Sequence, residues 1–85
     1  MNPRVIDVVF EKPHYLILTF KNNEKRRFSF AHYLALPVYR KLANTVFAEK
    51  VFCMHGTVAW DEMTDFDPDT LYEESEPINL NEIQD

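Results

Sequence analysis

The sequence predicts a small α+β domain: an antiparallel meander of about five strands, one principal short helix and a short C-terminal helical turn. Three observations carry this. Apolar side chains alternate at two-residue spacing through residues 15–20, the period of a half-buried strand. One short stretch, 37–44, instead carries apolar residues at helical spacing. The chain's only glycine, Gly56, stands between two strand-like segments, where a tight turn needs it.

The elements follow in order. Val5-Ile6-Asp7-Val8-Val9-Phe10 is β-branched and bounded by Pro3 and Pro13, which predicts a first strand. Residues 14–20 form the second, with Leu16, Leu18 and Phe20 on one face. Lys21-Asn22-Asn23-Glu24 is a turn, because asparagine tolerates left-handed backbone angles. Residues 25–30 return as a third strand, with Arg26, Phe28 and Phe30 opposite Arg27 and Ser29. Pro37 then pre-sets a helical turn, Val38, Tyr39, Leu42 and Ala43 give it an apolar side, and Asn44 ends it. Residues 50–55 and 57–60 are two further strands joined at Gly56. Asp67 is a good helix cap, Pro68 suits the first helical position, and Asp69 complements the helix dipole. The remainder is acidic and interrupted by Pro77. The expected organisation is one domain over 1–73 and an acidic tail over 74–85, ordered only where Ile78, Leu80 or Ile83 meets a surface.

Bulk properties narrow the class. A chain of 85 residues has a thin core, which twelve aromatic residues help to fill. A lone cysteine, Cys53, cannot form an internal disulfide and fits a reducing compartment. No apolar run approaches the roughly 20 residues that cross a bilayer, and Met1-Asn2-Pro3-Arg4 lacks a signal peptide's apolar stretch. A cytoplasmic protein without membrane attachment is expected. Charge is unevenly spread: residues 1–50 carry nine basic groups against four acids, and residues 51–85 carry ten acids and no base. That asymmetry bears on partners and solubility rather than on fold.

Tyr15-Leu16-x-Leu18-x-Phe20, Phe28-x-Phe30 and Gly56-Thr57-Val58-Ala59-Trp60, followed by Asp65-Phe66-Asp67-Pro68-Asp69-x-Leu71-Tyr72, resemble a bacterial family catalogued as domain of unknown function 2442. The resemblance covers roughly residues 3–72; its specific part is the Trp, the short spacer and the Asp-x-x-Pro-x-x-Leu-Tyr ending. Asn22-Asn23 stands where the family often has a turn glycine, and Asp61-Glu62-Met63-Thr64 where it often has proline and glycine. The resemblance implies an antiparallel sheet with one principal helix and supplies no catalytic residues. It also implies a partner-binding role, since some members adjoin a helix-turn-helix domain or belong to gene pairs resembling toxin–antitoxin modules.

The chemical constellations are sparse. Asp65, Asp67, Asp69, Glu73 and Glu76 match the acidic positions of an EF-hand loop, but Thr70 stands where that loop needs its glycine and Pro68 stiffens it. They read as a capped helix start. Cys53 and His55 share a face of a predicted strand about 7 Å apart, too far for a nucleophile–base hydrogen bond. His14, His32 and His55 lack metal-ligand spacing, and one glycine cannot make a phosphate loop. Neither catalytic nor cofactor or metal-binding residues are expected. Trp60 reads as a core anchor beside Phe47, Phe52 and Leu71.

Two surfaces are candidates for interaction: the basic hairpin residues Lys21, Lys25, Arg26 and Arg27, and the tail residues Ile78, Leu80 and Ile83. The expected function is a non-enzymatic protein-interaction module, in its finer form one member of a toxin–antitoxin-like pair. Self-association is left open. The alternative is a nucleic-acid-binding accessory domain using hairpin 21–27, whose basic and aromatic residues interleave.

Overall fold

The structure, a computed structural model, describes residues 2–78. Its strands are β1 (Val5–Glu11), β2 (Tyr15–Phe20), β3 (Lys25–Ser29), β4 (Phe52–Met54), β5 (Thr57–Asp61), β6 (Thr64–Asp65) and β7 (Glu76–Pro77). They form a four-stranded antiparallel sheet in the order β1-β2-β3-β7 and a three-stranded one in the order β4-β5-β6. Two 3-10 helices (Ala31–Ala35 and Pro37–Ala43) and α1 (Thr45–Ala48) connect them, and α2 (Pro68–Glu73) precedes β7. This is the α+β architecture the sequence predicts. The two strands beyond the expected five, β6 and β7, have two residues each, too few to show a period.

The expected helix over 37–44 keeps its place and its end at Asn44 but is a 3-10 helix. Leu36 is held extended (ψ 135°) by the proline after it, and a 3-10 helix then runs from Pro37 to Ala43. Asn44 ends it and starts the next: its Oδ1 accepts from the backbone N–H groups of Val46 at 2.9 Å and Phe47 at 3.4 Å. A side chain that bonds the backbone beyond it in this way competes with helix continuation, so Asn44 separates the 3-10 helix from α1. At α2 the Asp67 carboxylate accepts from Asp69 and Thr70, both at 3.1 Å, with Pro68 in the first turn.

Both turns behave as their residues require. Asn23 is left-handed (φ 74°), and Asn22 Oδ1 accepts the Glu24 N–H at 3.1 Å. His55 (φ 53°) and Gly56 (φ 82°) form the two-residue link between paired Met54 and Thr57, the angles of a type I′ hairpin. His55 is therefore a turn residue, not a strand residue, and does not share a strand face with Cys53. Gly56 is constrained twice, since a Cβ there would lie 2.7 Å from Cδ of Arg4.

Strand alternation builds the core. Leu16, Leu18, Phe20 and Phe28 point from the four-stranded sheet onto Leu42, Ala48, Val58, Trp60, Phe66 and Leu71. Trp60 is 6% exposed, donates Nε1–H to the Ala48 carbonyl at 2.9 Å, and meets Phe30 and Phe66 edge-on. Phe52 is not its neighbour. It pairs with Ala59, whose side chain points away from that of Trp60, and is 43% exposed.

Candidate interaction surface

The four basic residues of the hairpin do not form one patch. Lys21 is exposed at the turn. Lys25 and Arg27 point to the outer face of the sheet, while Arg26, paired with Leu18, points to the inner one. Arg26 is spent on the fold: Nε donates to Ser75 Oγ at 2.7 Å, Nη2 to the Ser75 carbonyl at 2.6 Å, and the guanidinium lies 4.4 Å over the Tyr72 ring. Its remaining contact is Glu24, 3.4 Å from Nη1. Tyr72 in turn donates to Glu24 at 2.6 Å, which holds that carboxyl below its usual pKa and pushes the phenol up. This staple ties the first hairpin to the segment after α2. Of the staple's residues the sequence marks Arg26, as a hairpin cation, and Tyr72, in the Leu-Tyr ending; Ser75, in an acidic stretch, gives no signal.

Beyond α2 the chain joins the sheet. Glu76 pairs with Arg27 and Pro77 with Arg26, and the Ile78 N–H donates to the Lys25 carbonyl at 3.1 Å. The first residues of the segment expected as a tail thus form an edge strand, and Ile78 is half-buried there. Leu80 and Ile83 lie outside the described residues.

The outer face of the four-stranded sheet is partly open, with Asp7, Val9 and Glu76 exposed and its other side chains half-buried. Three rows cross it: Asp7, Thr19 and Lys25; Val9, Ile17, Arg27 and Glu76; and Glu11, Tyr15 and Ser29. Val9 is 56% exposed; Ile17 and Tyr15 are half-buried. Arg27 reaches across β2, 5.7 Å over the Tyr15 ring, to Glu11 at 3.0 Å, and Lys25 Nζ donates to Thr19 Oγ1 at 2.8 Å. At the β7 side, Tyr15, Arg27, Ser29, Glu74 and Glu76 border a cleft of about 360 Å³ with Pro77 and Ile78. Across β1, β2 and β3, Asp7 and Glu11 flank Val9 on β1, Tyr15, Ile17 and Thr19 lie on β2, and Lys25 and Arg27 lie on β3, with Glu76 beyond them on the β7 edge.

Elsewhere the titratable groups serve the fold. Burial and the Glu74 carboxylate, which accepts from its hydroxyl at 2.7 Å, push the Tyr33 phenol up to about 12. Burial raises Cys53, and the nearby Asp7 adds to the effect. Lys41, at 2.8 Å, draws the Asp61 carboxyl down to about 2. His14 stacks on Tyr15, exposed His32 lies 3.7 Å from Glu74, and His55 is at its turn. Among the described residues, no three metal-ligating side chains gather, and no helix is long and apolar enough to cross a membrane.

A two-sheet α+β domain with one open mixed-character sheet face defines the class. Over residues 5–77 the chain matches the family described as protein of unknown function (DUF2442), and it belongs to that family. The match ends where β7 ends. Neither the curated proteins nor the solved structures contain a match.

Proposed function

We propose that this protein works in the cytoplasm by binding another protein, without catalysis, through the outer face of the four-stranded sheet. One observation carries the reading. Three of the four hairpin cations make intramolecular contacts, whereas exposed Val9, on edge strand β1, and half-buried Ile17, on β2, lie side by side on the outer sheet face. Apolar groups ringed by charge suit a protein partner, while a nucleic-acid groove uses cations free to meet phosphates. In its finer form this chain is one member of a toxin–antitoxin-like pair.

Capture from a native lysate tests this with three baits. Wild type should retain a defined protein, Ile17→Asp should lose it, and Lys21→Glu should keep it. Titration of labelled single-stranded DNA and RNA should give no saturable binding at low salt. Saturable, steeply salt-dependent binding that Lys21→Glu abolishes would favour the nucleic-acid reading instead.

A further inference from the structure

We infer that the protein partner of the outer sheet face is a second copy of this chain, in an isologous sheet-on-sheet dimer. This rests on the protein-binding reading and names the partner. The argument is charge complementarity in strand register. Strands β1 and β3 flank β2 at equal spacing, about 4.8 Å on each side. A two-fold axis running along β2, midway between two facing sheets, therefore places β1 of one copy over β3 of the other.

The rows decide what meets. Asp7 and Lys25 both lie in the row of Thr19, so each Asp7 falls over Lys25 of the second copy, twice per dimer. Val9 and Arg27 both lie in the row of Ile17, so Val9 of the second copy falls over the β3 backbone position that the Arg27 side chain leaves as it reaches to Glu11. Ile17 meets its own counterpart on the axis. Among the described residues, neither Asp7 nor Lys25 has an ion-pair partner within the chain. The other face-to-face arrangement, with the axis across the strands, stacks β1 on β1 and sets Asp7 and Glu11 against the same acids. Repulsion disfavours it, so the charge pattern selects one axis.

Sedimentation velocity on the full chain over a concentration series tests the dimer, with melting curves to establish that each variant is folded. Wild type should dimerise, and Ile17→Asp should be monomeric with a near-wild-type melt. Asp7→Lys and Lys25→Asp, each replacing two attractive pairs by two repulsive ones, should each weaken self-association about tenfold. An equimolar mixture of those two variants should form a heterodimer tighter than either homodimer, because both pairs become attractive again. Three results would each overturn the inference: a monomeric wild type up to about 1 mM, the weakest specific range; a dimer that Ile17→Asp leaves intact; or a mixture no tighter than its components. A monomer that still captures another protein through Ile17 would refute self-pairing alone. A monomer that captures nothing would refute the protein-binding reading with it.

Discussion

Single residues hold this fold at a few points, each with a physical reason. Trp60 is the largest: it fills the space between the sheets and satisfies the Ala48 carbonyl. Trp60→Ala should cost on the order of 3–5 kcal/mol in denaturant unfolding, a large share of a small domain's stability. Tyr33 makes a different prediction. Its folded pKa, about 12, lies above the ordinary 10.0, so the folded state binds its proton more tightly. The stability this supplies is complete below pH 10 and is lost as pH rises from 10 towards 12. Tyr33→Phe should flatten the alkaline fall in melting temperature over that window. A fall of unchanged slope would mean that the phenol is not held in its neutral form. Burial, the larger cause of this shift, was not readable from the sequence, because the Tyr33–Glu74 contact joins residues 41 positions apart.

At the scale of elements, legibility followed length and local chemistry. β1, β2 and β3 were readable because each carries several alternating residues, and α2 because Asp67, Pro68 and Asp69 announce it. The helix after Pro37 was readable in place and in its end at Asn44 but not in kind, because apolar spacing over so few residues does not distinguish a 3-10 helix from an α-helix. β7 was invisible. Two residues have no period, and proline is uncommon in strands, although an edge position tolerates it. What fixes β7 lies outside it, in the grip of Arg26 on Ser75. Ser75→Ala removes the hydroxyl that Arg26 Nε meets at 2.7 Å while leaving the carbonyl bond. It should therefore cost about 1–2 kcal/mol and speed amide exchange at Ile78, whose N–H donates to Lys25. Unchanged exchange there would show that β7 is held by its ladder alone.

Over the whole molecule, the charge asymmetry is partly used to fold it. The basic half supplies Arg26 and Arg27, and the acidic half returns Ser75, Glu76 and Pro77 to lie beside them. The division between domain and tail that composition suggests at 73/74 thus crosses a segment whose backbone belongs to the sheet. Two truncations separate composition from structure. Ending the chain after Ile78 keeps every contact made among residues 2–78, so its melting temperature should stay within about 2 °C of full length. Ending it after Glu73 removes both Ser75 bonds and strands the Arg26 guanidinium, whose side chain is only 13% exposed, with Glu24 and the Tyr72 ring. The packing and hydrogen bonds that Ser75 supplies are lost, and the edge of β3 is uncovered at the same time. The shorter chain should lose about 2–4 kcal/mol, which in a domain of this size lowers the melting temperature by more than about 8 °C. If the chain ending at Glu73 melts with the full-length protein, the staple contributes nothing, and the domain closes at α2 as composition alone suggests.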